Sequence, residues 1–206
     1  WNNGGIDGVP FTPGSTSTYI CTGTDANGCQ TTDQVVVTVN PIPTVNAGAD
    51  QSICMGESAV LTASGASNYV WNNGVINGIA FIPGATQTYT VTVTANGCQS
   101  SDQVVVTVNP LPNVNFSANG LGCTVPLTLS FNNTSSQGAN FAQAWNFGNS
   151  QTSTQYTPPS ITYNSQGTFQ VVLNVTNNNT GCVNSLTQPI VVSNFQAGIT
   201  APTTGC

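Results

Sequence analysis

Two side-chain types in this 206-residue chain could do chemistry, carboxylates and thiols. The acids are six: Asp7, Asp25, Asp33, Asp50, Glu57 and Asp102. Cleaving a glycosidic bond takes two carboxyl groups held about 5–10 Å apart across a sugar ring. Asp33 and Asp102 fit poorly, because each opens the same segment, Asp-Gln-Val-Val-Val-Thr-Val-Asn-Pro, in a separate copy of a repeat. That equivalence points to one structural role at the start of a strand. Asp50 and Glu57 flank Cys54 on a loop, where they could face each other or hold a cation, but a solvated turn is the better reading. The thiols are seven: Cys21, Cys29, Cys54, Cys98, Cys123, Cys182 and Cys206. None of their spacings resembles the paired C-x-x-C knuckles of metal sites, and widely separated pairs in small domains suit an oxidising compartment.

What is missing excludes more. The chain has no Lys, Arg or His, and its charged fraction is 3%, against about 25% in an average protein. No cation exists to displace counterions from a phosphate backbone, so nucleic-acid partners are excluded. A basic patch for anionic lipid is excluded likewise. A His base, a Lys Schiff base and an Arg clamp are all unavailable. We expect no enzyme, no cofactor and no metal. No apolar run approaches the roughly 18 residues of a membrane-crossing helix, so membrane insertion is not expected.

The elements that must position these groups are set by a repeat. Trp71-Asn72-Asn73-Gly74 answers Trp1-Asn2-Asn3-Gly4, Phe81 answers Phe11 and Tyr89 answers Tyr19, each 70 residues on. Beyond a one-residue deletion, Cys98 answers Cys29, and Asp102 to Pro110 repeats Asp33 to Pro41 unchanged, 69 residues on. A unit of this length is a small domain in tandem. The first copy begins at its middle, so the chain reads as a window on something longer. We expect part of one domain at 1–43, a complete one at 44–112, a second kind of domain at 113–194, and the start of another at 195–206.

Helix signals are nearly absent. Turn residues interrupt the chain every 8–12 residues, and the runs between them alternate with period two. Gln87 to Thr94 places Tyr89, Val91 and Val93 on one face. Asn96-Gly97 then turns the chain, and Asp102 to Val108 returns as the partner strand. Ser58 to Ala63 and Asn68 to Trp71 are expected to pair around Gly65. The pattern is all-β, that of an immunoglobulin-like sandwich, with Trp71 as its buried tryptophan and Tyr89 as its corner tyrosine.

Cys54 and Cys98 enclose about 45 residues, and a disulfide there would contribute roughly 3–4 kcal/mol in the chain-entropy model. The alternative is a pair of buried thiols. Cys29 occupies the Cys98 position in the truncated copy, so its partner is expected before Trp1. Cys21 aligns with Val91 and faces inward, as a free thiol or paired upstream. A Cys21–Cys29 bond is disfavoured, since the hairpin would not set the two opposite each other. Asn40-Pro41-Ile42-Pro43 and Asn109-Pro110-Leu111-Pro112 read as semi-rigid linkers, which would string the domains into a rod.

From Asn113 the pattern changes. Phe131-Asn132-Asn133-Thr134-Ser135, Trp145-Asn146-Phe147-Gly148-Asn149-Ser150 and Tyr163…Gly167-Thr168-Phe169-Gln170-Val171 follow in order. These three motifs resemble those of the PKD domain, a β-sandwich of about 80 residues. Where that family carries acids around Phe-Gly, this chain has Asn146 and Asn149, which weakens any divalent-ion role. Within this third unit Cys123 and Cys182 are expected in a disulfide. Phe195-Gln196-Ala197-Gly198…Gly205-Cys206 repeats the opening of the unit, so Cys206 is expected to find its partner outside the chain.

The earlier repeats, through Val45 to Cys54 and Asn96-Gly97-Cys98, resemble the Ig-like modules that accompany PKD domains in giant secreted adhesins of Bacteroidota-type bacteria. These include the SprB-like gliding-motility adhesins exported by the type IX route. The resemblance implies a structural segment of an extracellular cell-surface adhesin or filament. Its expected partners are neighbouring domains of the same chain, other copies packed laterally, and surface glycans. The second reading is a carbohydrate-binding or spacer module of a secreted polysaccharide-degrading enzyme. Trp1, Trp71 and Trp145 stand at core-type positions, which leaves Tyr156, beside Pro158-Pro159, as the candidate glycan contact.

Overall fold

The computed structural model describes residues 1–120, 122 and 124–193. Cys123 and the segment from 194, including Cys206, lie outside the described residues, and with them the expected further domain. The strands run in chain order as β1 (Ser17–Thr24), β2 (Gln30–Val37), β3 (Gln51–Cys54), β4 (Ala59–Val60), β5 (Val70–Trp71), β6 (Ala80–Phe81), β7 (Gln87–Ala95) and β8 (Cys98–Asn109). Next come β9 (Phe116–Asn119), β10 (Leu127–Asn133), β11 (Phe141–Asn146), β12 (Thr152–Ser153), β13 (Ile161–Tyr163), β14 (Gly167–Asn177) and β15 (Val183–Val192). The class is all-β and the fold Ig-like β-sandwich.

The chain divides into two compact units. The first takes Trp1–Ala49, Val60–Phe81 and Thr88–Val105; the second takes Asp50–Ala59, Ile82–Gln87 and the chain from Val106 onward.

In the first unit β1 and β2 form an antiparallel hairpin, in register from Ser17↔Val37 to Thr24↔Gln30. Asp25 closes its turn by accepting the N–H groups of Asn27 and Cys29 at 2.9 and 2.8 Å, the local bonding that makes Asp a turn former. The second hairpin turns at Asn96 and Gly97, both with positive φ (51° and 80°), as its two-residue loop requires. On β7, Tyr89, Val91 and Val93 are buried and the threonines are not. Leu61, Trp71 and Val104 are buried as well.

β5 pairs with β7 at Trp71↔Val91, whereas β4 lies beside β6. The expected pairing of Ser58–Ala63 with Asn68–Trp71 is therefore not formed. The two strands flanking Gly65 go to different sheets, as a sandwich corner demands.

The identical segments show how much the facing half of a sandwich matters. Val104 is buried at 1%, while its repeat equivalent Val35 is 48% exposed. Trp71 is 5% exposed and Trp1 47%, so Trp1 is not the core residue its position suggested. In the complete copy Leu61 and Ala63 are buried as well, and the Ala63 N–H and the Trp71 indole N–H share Asn77 Oδ1 as acceptor, at 2.8 and 3.1 Å.

In the second unit β3 runs parallel to the end of β8, from Gln51↔Val106 to Cys54↔Asn109. Beyond it, a three-stranded sheet (β13-β10-β9) faces a four-stranded one (β12-β11-β14-β15). Alternation assigns the faces: Leu127, Leu129 and Phe131 on β10, and Val171, Leu173 and Val175 on β14, are buried in one core with Trp145, Phe147 and Tyr163. Each fully buried aliphatic side chain contributes about 1.5–3 kcal/mol relative to exposure.

Candidate functional site

The three motifs of the second unit converge on that core. The Trp145 and Phe147 rings stack at 5.6 Å, and Phe116 meets Trp145 edge-on at 5.1 Å. The Trp145 indole N–H donates to the Gln155 carbonyl at 3.1 Å. The buried Tyr163 hydroxyl donates to the Phe147 carbonyl at 3.0 Å, and burial raises its pKa to about 12. Gly148 has φ +75°, and a Cβ there would meet the Gln170 carbonyl oxygen at 2.9 Å and its nitrogen at 3.0 Å. Only glycine permits that approach. The motif residues therefore lock a sandwich corner.

Asn146 and Asn149 are occupied in the same way. Asn146 Oδ1 accepts the Gly148 N–H at 2.9 Å, and Asn149 Nδ2 donates to Gln151 Oε1 and the Thr162 carbonyl. A hollow of about 330 Å³ opens beside them, lined by Asn149, Gln151, Thr162, Asn164, Ser165 and Phe169 among others, with no carboxylate in its wall. Such a wall suits neutral hydrogen bonding and is poor for a divalent cation. No cluster of potential metal ligands occurs among the described residues.

The carboxylates serve as hydrogen-bond acceptors: Asp25, Asp33, Glu57 and Asp102 take main-chain N–H groups, and Asp7 takes an indole N–H. Glu57 Oε2 accepts the Cys54 N–H at 2.8 Å while the Glu57 N–H donates to the Cys54 carbonyl at 3.0 Å. Asp7 accepts from the Trp1 indole at 3.4 Å. Asp33 accepts the N–H of Gln34 at 2.8 Å, whereas Asp102 reaches Ala47 across the fold at 2.8 Å. The Asp102 pKa is lowered by that bond first and by a second from the Gln103 N–H.

Tyr156, the candidate glycan contact, is half-buried and tied inward. Its hydroxyl donates to the carbonyls of Asn133 (3.0 Å) and Ser135 (3.3 Å), and Asn133 Nδ2 donates back to the Tyr156 carbonyl at 3.0 Å. Its polar end is engaged in holding the loop rather than free for a sugar.

The thiols depart most from expectation. Cys54 bonds to Cys182, 128 residues away, with Cα atoms 5.6 Å apart. The expected Cys54–Cys98 pair is not formed, and β8 supplies the reason. Cys54 is in register with Asn109 at the end of β8, whereas Cys98 begins that 12-residue strand. About 36 Å of extended chain separates the two ends, and a disulfide spans less than about 7 Å between Cα atoms. The expected Cys123–Cys182 pair is ruled out because the Cys182 sulfur is taken. Cys21 and Cys98 are half-buried free thiols and Cys29 is an exposed one.

A feature that periodicity did not reveal lies on the first copy. Trp1, Ile6, Val9, Phe11, Tyr19 and Val35 line a largely apolar hollow of about 340 Å³.

Residues 107–193 match the sequence model of the family described as PKD domain. This segment belongs to the PKD family. Its match begins inside β8, six residues before the change of pattern at Asn113. The PKD1 domain of Vibrio anguillarum Epp is 31% identical, over 42% of this chain and 98% of that one, with a TM-score of 0.35. The PKD1 domain of the Vibrio cholerae metalloprotease PrtV is 32% identical over 40% of this chain and 98% of that one, with a TM-score of 0.34. The titin I-band fragment I67–I69 is 12% identical over 90% of this chain and 77% of that one, at a TM-score of 0.45. No curated protein matches the chain. Within the PKD segment, Trp145, Phe147, Gly148 and Tyr163 are thus framework residues.

Proposed function

We propose that the chain is a non-catalytic structural segment of a large extracellular adhesin or filament, a disulfide-stapled spacer that presents adhesive parts away from the cell surface. The observation that carries this reading is the Cys54–Cys182 bond, which joins the leading strand of an Ig-like repeat to the β14–β15 hairpin of the PKD domain. A bond of that kind suits a chain under tension. Three further features support the reading: the repeated Ig-like domain, the proline-containing linkers, and carboxylates engaged as acceptors for main-chain and indole N–H groups. A disulfide also fits an oxidising compartment, and no helix among the described residues is long and apolar enough to cross a membrane. The absence of Lys and Arg removes the cleavage sites of trypsin-like proteases, which suits exposure outside a cell.

Single-molecule stretching tests the load-bearing role. The bond encloses 128 residues, so adding reductant is expected to release about 400–460 Å of extra contour on unfolding. Equal contour lengths with and without reductant would overturn the reading. The charge-poor surface also lacks the repulsion that keeps sheet edges apart. Light scattering at rising concentration is therefore expected to show lateral association, and a strictly monomeric profile would count against it.

A further inference from the structure

Three features of the first copy converge on one unpaired strand edge. The first is a bare sheet edge. The segment Val106–Asn109 at the end of β8 carries β3 in parallel, and Asn109 Nδ2 donates to Ser52 Oγ at 2.8 Å and the Ile53 carbonyl at 3.1 Å. The Asn109 carbonyl accepts the Met55 N–H at 2.8 Å. Val37–Asn40 has the identical sequence, yet β2 is paired only with β1 among the described residues.

The second feature is the thiol waiting at that edge. Cys182 follows the turn of the β14–β15 hairpin and bonds to the cysteine in register with Asn109. Cys98 likewise follows the turn of the β7–β8 hairpin. Its sulfur lies 3.7 Å from the carbonyl oxygen of Asn40, the repeat equivalent of Asn109, while Asn40 Nδ2 donates to the Asn96 carbonyl at 3.0 Å. The third is the hollow of about 340 Å³ lined by Trp1, Phe11, Tyr19 and Val35, on a face whose repeat equivalents Trp71 and Val104 are buried in the complete copy.

We propose that this half-sandwich takes up an extended segment of the 44–70 type, whose strand lies parallel along Val37–Asn40, and that Cys98 forms a disulfide with that strand's cysteine. The Cys54–Cys182 bond is then one member of a series, each tying the leading strand of one repeat to the returning hairpin of the next. This rests on the chain's own geometry and holds whether or not the parent protein is an adhesin.

The probe is a synthetic peptide of residues 44–62, its cysteine carried as a mixed disulfide with glutathione, added to the full 206-residue chain. The Cys98 thiol loses its proton to solvent, and the thiolate attacks the peptide sulfur. Glutathione thiolate leaves, so one disulfide replaces another without net oxidation. Docking raises the local concentration of the peptide sulfur, so adduct at Cys98 is expected to exceed that at exposed Cys29 by at least about tenfold. A peptide with the same cysteine in a scrambled sequence should lose the preference. A Cys→Ser peptide should still bind, shifting tryptophan emission to the blue as Trp1 is covered, and the chain variant Trp1→Phe should abolish that shift. Equal labelling of Cys29 and Cys98, or equal labelling by native and scrambled peptides, would overturn the proposal.

Discussion

The Asp102 carboxylate accepts the main-chain N–H of Ala47 at 2.8 Å, from 55 residues away. Its repeat equivalent, Asp33, accepts only from the adjacent Gln34. Both acids lie inside their strands rather than at the expected strand start, and one sequence position thus clamps two distant segments in one copy and bonds only its own neighbour in the other. The Asp102 pKa is lowered from the ordinary 3.8 by its backbone donors. A depressed carboxylate contributes stability above its unfolded pKa and loses it as pH falls through the folded value. Thermal unfolding of Asp102→Asn is expected to lie below the parent at pH 7 and to converge with it well below pH 4. Asp33→Asn should match the parent throughout. A gap that persists in strong acid would show that Asp102 acts by shape rather than by charge.

Removing either partner of the long-range disulfide should cost the same. In the chain-entropy model a loop closed over 128 residues contributes about 5 kcal/mol. Cys54→Ser and Cys182→Ser are each expected to lower the denaturant midpoint under oxidising conditions, by equal amounts, and to coincide with the parent in reductant. Cys98→Ser should leave that midpoint unchanged. Peptide mapping without reduction checks the pairing directly, and recovery of a Cys54–Cys98 fragment would refute it.

How far these relationships were legible depends on their range. Strand identity is written locally: alternation placed Tyr89, Val91 and Val93, and Leu127, Leu129 and Phe131, on buried faces, because side-chain direction has period two. The Asn96-Gly97 turn was equally local. The disulfide partner of Cys54 was not, since which hairpin arrives beside β3 depends on packing more than 100 residues downstream. The parallel pairing of β3 with the far end of β8 places Cys54 out of reach of Cys98, and spacing alone carries no trace of strand direction. Trp1 departs from its expected burial for a related reason, because burial belongs to the facing half of the sandwich and not to the residue.

Gly148 should tolerate no side chain. Its positive φ already disfavours a Cβ by about 1–2 kcal/mol, and the contact with Gln170 backbone at 2.9 Å cannot be relieved by a rotamer change. Gly148→Ala is therefore expected to destabilise the PKD unit by more than about 2 kcal/mol. Gly138, also at positive φ (114°) but with nothing near its Cβ, provides the control, and its alanine variant should show the backbone cost alone. Equal midpoints for the two variants would place the whole effect in φ and none in the close approach.

Tyr163 offers a test in alkali. Its hydroxyl is buried against the Phe147 carbonyl, and burial raises its pKa to about 12, against an unfolded value near 10. A phenol whose folded pKa is raised contributes stability that is fully present below about pH 10 and is lost as pH climbs toward 12. Ultraviolet titration of the native chain should show one tyrosine ionising last, and that step should vanish in Tyr163→Phe. The same variant leaves the Phe147 carbonyl without its donor, so it should lose about 1–3 kcal/mol at pH 7, while its stability should fall less steeply than the parent's between pH 10 and pH 12. A variant as stable as the parent at neutral pH would mean that water reaches the Phe147 carbonyl, and the corner would then be looser than its packing implies.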